Sequence, residues 1–346
     1  MTINPGAIRF NTDSMKLEIF RGSANYEGSA SMAGIGTLAA GQWEEIVTST
    51  PEVESGHSGF FAGGHGPTTP RVDRVTISTT GDATNFGDLV KQRQEGGGCS
   101  GRIYAYWTGD AVPASDASID RFVMDSGGTA TDYGDLVAAT NNVQNISGFG
   151  SRTRGFFAGG YQASVGRVNT IQYFDIASTG AAIDFGDLDA AHSGVAGCSS
   201  QTRGFMMGGT IPSAEVNIIQ FVTMSTLGNA ADFGDMTDTA AHGSGCSNAT
   251  RGIFFDRNDG HIDYFNMATL GDSQDFGDLN TANHYSAGSP SSSTRACYGG
   301  GGFPGNTDVI EYIQIATTGD AIDFGNLSLA RNLMMTGCQS NGHGGL

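Results

Sequence analysis

Short stretches in which apolar and polar residues alternate recur along most of the chain. NTIQYFDI at 169–176 and DVIEYIQI at 308–315 are two of them. A period of two is that of a β-strand with one buried face. The 346 residues include 54 glycines and only 8 prolines. Because glycine costs about 1 kcal/mol relative to alanine inside a helix, we expect short strands and many turns rather than long helices.

One five-residue phrase recurs six times at nearly regular spacing. The copies are NFGDL, DYGDL, DFGDL, DFGDM, DFGDL and DFGNL, with the aromatic residue at Phe86, Tyr133, Phe185, Phe233, Phe276 and Phe324. The gaps are 47, 52, 48, 43 and 48 residues, the range of propeller blades. A D-F-G triplet also occurs in protein kinases, but there it occurs once, with a lysine motif, a catalytic loop and a glycine loop that this chain lacks.

A second marker repeats with the same period and completes a four-stranded unit. It reads GFFAGG at 59–64, RGFFAGG at 154–160 and RGFMMGG at 203–209. Around residue 180 the four predicted strands are HSGVAGCS, RGFFAGG, NTIQYFDI and AIDFGDL. Six such units predict an all-β fold, a six-bladed β-propeller, which limits exposed sheet edges by radial repetition. A β-solenoid would have shorter repeats, and a pair of sandwiches would not keep the period.

The two ends of the repeat array predict how the ring closes. The first blade has no copy of the inner strand before Gly59, and the last repeat is followed by one in excess, ARNLMMTGCQS at 330–340. We therefore expect the C-terminal strand to join the first blade, since an open ring would expose two sheet edges. Truncation after Leu327 should unfold or aggregate the protein.

Residues 1–50 lie outside the repeat and are predicted to form an attachment segment, with residues 51–346 forming the propeller. GAIRFNTDSMKLEIF predicts a β-hairpin from Ala7 to Phe20, and GQWEEIV a third strand around Trp43. Such a sheet is too small to be stable alone. The apolar residues expected to pack on the propeller, on a second copy or on another protein are Phe10, Leu17, Ile19, Phe20 and Trp43.

Charge and cysteine content narrow the possible partners. The net charge is −18, which disfavours nucleic acid and anionic membranes. No apolar run is long enough to span a bilayer, and the N-terminus lacks the pattern of a signal peptide. The cysteines are few and scattered, without zinc spacing, so we expect small, reduced packing residues.

Repeated acids, histidines and arginines each have a structural interpretation and a chemical one. The acid pairs of the FG phrases, such as Asp184 and Asp187, could bind calcium but more simply form hydrogen bonds within turns. His192, His242 and His284 occupy similar places, where Arg93 and Arg331 stand in other blades, which disfavours a metal site. The repeated arginines, Arg154, Arg203, Arg251 and Arg295, are expected to bond to the aspartates between blades. We predict no metal and no cofactor.

The second blade carries the best predicted ligand-binding residues. The candidates are Tyr104, Tyr106 and Trp107 of the segment YAYWTGDAVPASD, in which Tyr106 and Trp107 stand where Gly-Gly is expected. Aromatic rings on loops bind sugars and proteins, although Trp107 could equally be buried packing. No catalytic motif accompanies them, so we expect no enzymatic activity.

The repeats resemble those of kelch-type propellers, in the strand ending in Gly-Gly and the following strand with a central tyrosine, Tyr173 or Tyr312. They depart from kelch because Phe or Tyr of the FG phrase replaces the usual tryptophan. The N-terminal segment GAIRFNTDSMKLEIF, together with repeats such as RGFFAGG and TGDAIDFGNL, also resembles virion structural proteins of tailed bacteriophages, especially marine and cyanobacterial phages. This resemblance covers nearly the whole chain and has no catalytic residues to transfer.

The phage resemblance implies a tail-fibre or decoration protein, made in the host cytoplasm and located in the virion. Its expected partners are other virion proteins, through the N-terminal segment, and a host-surface glycan or receptor, with self-association left open. The alternative is a cellular kelch-like protein-interaction module.

Overall fold

The computed structural model describes residues 57–112, 117–137, 143–257, 259–280, 287–302 and 305–334, together with the backbone of three N-terminal strands. The chain divides into two compact units, Met1–Val53 and Glu54–Leu346. Every element of regular secondary structure in these described parts is β. The all-β prediction is therefore confirmed.

The N-terminal unit contains a three-stranded antiparallel sheet in the order β1–β2–β3. Its strands are β1 (Ile8–Asn11), β2 (Lys16–Arg21) and β3 (Gln42–Glu45). Phe10 of β1 pairs with Leu17 of β2, and Phe20 of β2 pairs with Trp43 of β3. The predicted hairpin and third strand are confirmed, whereas the side chains of these strands lie outside the described part of the chain.

Six sheets form the blades of the propeller, as the repeat predicts. In blades 1 and 2 the strands are β4 (Ser58–Ala62), β5 (Arg71–Thr76), β6 (Thr84–Asp88), β7 (Gln92–Ser100), β8 (Tyr104–Val112), β9 (Ser118–Val123), β10 (Gly128–Thr129) and β11 (Thr131–Asp135). In blade 3 they are β12 (Val143–Gln144), β13 (Ser147–Gly150), β14 (Arg154–Ala158), β15 (Tyr161–Gln162), β16 (Gly166–Asp175) and β17 (Ile183–His192). In blades 4 to 6 they are β18 (Ala196–Ser199), β19 (Arg203–Met207), β20 (Ile218–Thr223), β21 (Ala231–Asp235), β22 (Ser244–Ser247), β23 (Arg251–Phe255), β24 (His261–Asn266), β25 (Gln274–Asp278), β26 (Arg295–Gly299), β27 (Val309–Gln314) and β28 (Ile322–Asn326).

Each complete blade is an antiparallel meander whose first strand is the innermost. Blade 4 runs β18–β19–β20–β21 in sequence order. In blade 6 the innermost residues are Gly288 and Ser291. They form isolated antiparallel bridges with Gly299 and Ala296. The meander order gives the propeller two faces. On one face lie the loops that precede the inner strands, and on the opposite face lie the turns that connect each inner strand to the second strand of its blade.

The ring closes between blade 6 and blade 1. Asn332 and His65 exchange two backbone hydrogen bonds of 2.7 and 3.1 Å. Arg331 pairs with Asp73 of blade 1 at 3.2 Å, with both side chains fully buried. Residues 331 and 332 therefore contact the first blade, whereas residues 335–340 of the predicted closing strand lie outside the described residues, so that strand stays a prediction.

Adjacent blades meet where the glycine of each FG phrase lies against a turn glycine of the next blade. A Cβ on Gly186 would come within 2.4 Å of the Gly228 oxygen. The Gly186 φ of +154° is also one that other residues rarely adopt. The six contacts are Gly87–Gly128, Gly134–Gly180, Gly186–Gly228, Gly234–Gly271, Gly277–Gly319 and Gly325–Gly81. The repeated phrase is thus the packing surface between blades.

A buried polar residue in the third strand of each blade forms a second kind of junction contact. These residues are Asp73, Asp120, Gln172, Gln220, Asp263 and Glu311. Five of them accept a hydrogen bond of 2.7 to 3.0 Å from a backbone N–H of the preceding blade. The donors are Ser328, Val90, Val137, Asp189 and Thr237. Each donor directly follows the last residue of an FG phrase.

The inner strands pack closely around the axis. A Cβ on Gly148 would lie 2.2 Å from the Gly98 oxygen, and one on Gly197 would lie 2.5 Å from the Gly148 oxygen. Hydroxyl groups link the same strands, since Ser199 donates to the Gly150 carbonyl at 2.7 Å and Ser247 to the Ser199 carbonyl at 2.7 Å. Small inner-strand residues are needed for this approach.

The cysteines fill small core positions, as predicted from the sequence. Cys99, Cys198, Cys246 and Cys297 are buried free thiols. Burial raises the pKa of the Cys297 thiol to about 12, which keeps it protonated and inert. Cys338 lies outside the described residues.

Candidate functional site

The aromatic residues predicted to bind a ligand are mostly packed inside blade 2. Tyr106 and Trp107 are completely buried, and Tyr104 is half-buried beneath the Arg121 guanidinium at 5.0 Å from its ring centre. Trp107 packs edge-on against Phe122, with ring centres 5.8 Å apart. The expectation of exposure is wrong for Tyr106, and of the two possibilities left open for Trp107 the structure shows buried packing. They are consecutive residues of the second strand and point to opposite faces of the blade, and both faces are covered. Trp107 packs in the core shared with blade 1 and Tyr106 in the core shared with blade 3, so neither offers a ring face to a ligand.

The acids of the FG phrases have local partners where the structure shows one. Asp132 accepts from the Gly134 N–H at 3.1 Å inside its turn, and Asp275 and Asp278 lie 3.8 and 3.5 Å from the ring nitrogens of His261. Within the described residues, no group of three or more histidine, cysteine, aspartate or glutamate side chains is arranged to hold a metal ion.

The repeated arginines do bridge blades, but they bond to backbone carbonyls rather than to aspartates of the next blade. Arg154 donates to the Met224 carbonyl at 2.9 Å, Arg203 to Met267 at 3.1 Å and Arg251 to Ile315 at 2.7 Å. Arg295 makes the equivalent contact across the ring closure, to the Ile77 carbonyl at 3.2 Å, and also bonds to the Ser78 carbonyl at 2.8 Å. The expected acceptor is therefore wrong, because the turn of the next blade presents its carbonyls at this place.

The histidines do not occupy one structural position. Residues at the start of the inner strands have a left-handed backbone, with φ of 68° at Gly194 and 60° at His242. His242 is thus equivalent to Gly194, two residues beyond the position of His192. His192 matches Arg93 and Arg331, as expected, and its Nε2 lies 2.8 Å from Asp189 Oδ1. His284 lies outside the described residues.

A chain of backbone hydrogen bonds links these left-handed residues around the axis. Glu95 donates its N–H to Leu333, Asn145 to Glu95, Gly194 to Asn145 and His242 to Gly194, over 2.5 to 2.9 Å. Five blades are connected in this way. The left-handed conformation, with φ from 49° to 68°, directs each N–H sideways to the preceding blade.

The side chains of this ring differ from blade to blade and form a polar cluster at the axis. Asn145 donates to Glu95 Oε2 at 3.5 Å, and its Oδ1 lies 3.0 Å from His242 Nδ1. Burial raises the pKa of the Glu95 carboxyl, and Asp110 raises it further. Burial lowers the pKa of His242 to about 4, with smaller contributions from Arg257 and Arg167. The sequence analysis missed this cluster because the residue at the left-handed position is different in each of these blades and so forms no repeated motif.

The cavity at this cluster is very small. The described residues enclose about 10 Å³ there, lined by Glu95, Asn145, His242 and their neighbours. That is the volume of roughly one water molecule, far below the ~300–1,000 Å³ of typical ligand sites. With the inner strands of blades 2 to 5 in contact, the described residues leave no chamber for a substrate here.

Larger spaces lie on the opposite face, between successive blades. The 3–4 groove has a volume of about 440 Å³ and the 4–5 groove about 480 Å³. The 3–4 groove is lined by Ser151, Arg152, Thr153, Arg154, Gln201, Thr202, Met224 and Ser225. The 4–5 groove is lined by Ser200, Gln201, Thr202, Arg203, Ala249, Met267 and Ala268. Both are open to solvent and are of a size that fits a sugar residue.

The grooves arise from one short motif, S-x-T-R, at 151–154 and 200–203. In each copy the serine Oγ accepts a hydrogen bond from the arginine N–H at 3.1 Å, which closes the turn. The threonine and the residue before it are exposed. The motif was visible in the sequence as part of the strand marker, but nothing there indicated that the turns of successive blades would leave a groove.

Comparison with known proteins adds no relative, because neither a protein-family model nor a curated protein matches the sequence. In the described part of the chain, no helix has the length and hydrophobicity needed to cross a membrane.

Proposed function

We propose that this protein is a non-enzymatic recognition component of a bacteriophage virion, of the tail-fibre or decoration type. In this proposal the N-terminal sheet attaches the chain to other virion proteins. The propeller then engages a glycan or receptor on the host surface. The proposal depends on the phage-like sequence resemblance for its biological setting and on the grooves for its molecular activity.

The observation that carries the binding role is the contrast between the two faces. The axial cavity of about 10 Å³ is too small for a substrate, whereas the blade junctions carry open grooves of about 440 and 480 Å³. Repeated grooves of one design favour a polymer with repeated units, because several weak contacts on one polymer combine into useful avidity.

Attachment through the N-terminal unit is tested by the mass of the protein in solution. Light scattering would compare the full-length chain with a shortened chain beginning at Glu54. If the N-terminal sheet is an assembly device, the full-length chain forms oligomers and the shortened chain is a folded monomer. A full-length variant carrying Phe10→Ser and Trp43→Ser should behave as the shortened chain does.

Two identical folded monomers would exclude self-association through the sheet. In that case, co-sedimentation of the full-length protein with phage particles decides between a virion component and a cellular interaction module. A full-length chain that never associates with particles would contradict the proposal.

A further inference from the structure

The 3–4 groove has an unusual electrostatic character for this protein. The chain carries 35 acidic and 17 basic residues, yet the eight lining residues include two arginines and no carboxylate. The other lining groups are hydroxyls, one amide and Met224, whose carbonyl faces Arg154. A basic site on an otherwise acidic protein favours a ligand with negative charge, since the surrounding surface repels it everywhere else.

Arg154 is held in a fixed position at the base of the groove. Its Nη1 donates to the Met224 carbonyl at 2.9 Å, and its guanidinium lies 4.6 Å from the centre of the Tyr173 ring. Asp175 approaches Nε at 3.6 Å, on an exposed side chain outside the groove lining. A guanidinium ordered before binding loses little conformational freedom when it binds an anion.

Arg152 distinguishes this groove from its neighbour. It is exposed and makes no hydrogen bond or ion pair with any residue that the structure describes. The equivalent residue in the next turn is Gln201, so the 4–5 groove has only Arg203. An exposed arginine beside an ordered one can complete a two-point contact with a carboxylate or sulfate.

We propose that the 3–4 groove binds an anionic sugar residue through the guanidinium groups of Arg152 and Arg154. Hydroxyls of the sugar would bond to Thr153, Thr202 and Ser225, which line the same groove. This inference rests on the proposed glycan recognition and specifies its ligand as acidic. The shared chemistry is a negatively charged sugar, whether carboxylated or sulfated.

The test is calorimetric binding of the full-length protein to polygalacturonate, dextran sulfate and neutral dextran at physiological ionic strength. Arg152→Gln makes the 3–4 groove resemble the 4–5 groove and should weaken binding of the anionic polymers by about tenfold or more. Arg102→Gln is the matched control, because it removes the same charge from the equivalent turn of blade 2. That variant should stay within about twofold of the unmodified protein.

The polymers identify the acidic group. An Arg152-dependent loss with polygalacturonate alone indicates a carboxylated sugar, and a loss with dextran sulfate alone indicates a sulfated one. Equal weakening by both variants would overturn the site, because it would mean attraction to overall charge. Lack of binding to both anionic polymers would also overturn it.

Failure of this inference is distinguishable from failure of the proposed function. Neutral dextran bound equally well by the unmodified protein and by Arg152→Gln would overturn the acidic specificity and leave glycan recognition standing. Unfolding curves of both variants provide the folding control, and they should match that of the unmodified protein.

Discussion

At the junctions between blades, the same backbone N–H is accepted in some blades by a buried carboxylate and in others by a buried amide. At the junctions entering blades 1 and 2, the buried acceptor is a carboxylate, Asp73 or Asp120. At those entering blades 3 and 4 it is an amide, Gln172 or Gln220. Each accepts from a backbone N–H of the preceding blade over 2.7 to 3.0 Å. The backbone geometry is the same, so the difference lies in charge alone.

A buried arginine accompanies each of these two carboxylates. Arg93 lies 3.1 Å from Asp120, and Arg331 lies 3.2 Å from Asp73, with all four side chains essentially inaccessible to solvent. Where the acceptor is Gln172, the position equivalent to Arg93 is Val143. Burial lowers the pKa of Arg331 to about 10, and Asp73 counters that effect. In these two blades the buried carboxylate is therefore balanced by the arginine beside it.

The largest expected effect follows from breaking one of these pairs. Arg93→Val places the residue of blade 3 into blade 2 and leaves the Asp120 carboxylate buried without its cation. We expect a loss of about 3–5 kcal/mol in the free energy of unfolding. Urea unfolding followed by the fluorescence of buried Trp107 would measure it. Arg152→Val, at an exposed arginine, is the control, and an equal loss there would contradict the interpretation.

Adding a buried carboxylate without an arginine should lower the free energy of unfolding less than removing the arginine from an existing pair. Gln172→Glu keeps the acceptor for Val137 but adds a charge where no arginine stands. We expect a loss of about 2 kcal/mol at pH 7. Because burial would raise the pKa of the new carboxyl, the loss should begin to shrink as the pH falls through that raised pKa. It should vanish only near the ordinary glutamate pKa of about 4.3, where the unfolded chain takes up the proton as well. Gln314→Glu, on an exposed position, should show neither effect in the same pH series.

Changing both members of the pair should restore most of the stability. The double variant Arg93→Val with Asp120→Gln converts the junction of blade 2 into that of blade 3. It should lie within about 1–2 kcal/mol of the unmodified protein, since a buried ion pair contributes little net stability over a neutral replacement. A double-mutant cycle measures the coupling. Simple addition of the two single losses would show that the residues act independently.

The smallest expected effect concerns blade 5, where Asp263 is buried without an arginine. Thr237, Ser273 and His261 surround it, with His261 Nε2 at 3.2 Å. Burial lowers the pKa of His261, but Asp263 and the neighbouring acids outweigh burial and raise it overall.

This histidine should therefore stabilise the fold below its unfolded pKa of 6.5, and the contribution should be lost as the pH rises through its higher folded pKa. His261 is partly exposed, so the change should stay below about 1 kcal/mol. His261→Gln should flatten the stability between pH 6 and 8, a range centred near the ordinary histidine pKa. Exposed His57→Gln should keep the slope, and an unchanged slope in His261→Gln would rule out this role.

The repeat made the propeller predictable. Six FG phrases at near-constant spacing specified the blades, and the unmatched strand at the C-terminus indicated how the ring closes. Alternation also located the three N-terminal strands. These features are local and periodic, so the order of residues along the chain carries them.

The candidate site was less predictable. Tyr106 and Trp107 were expected on a loop, but their strand continues and turns them into the core. His192 and His242 look equivalent in the sequence, yet the backbone places them two residues apart. The grooves were not foreseen, because the turns that line them belong to different blades.

The sequence by itself thus determined the blade number, the strand order and the residues that repeat in every unit, because these depend on periodicity and local turn chemistry. Only the tertiary structure decided which repeated arginine meets which carbonyl, which buried acid has a cation beside it and where open space remains. Those outcomes depend on the distance between neighbouring blades. That distance is set by backbone contacts such as the one between Gly186 and Gly228, which join residues 42 positions apart in the chain.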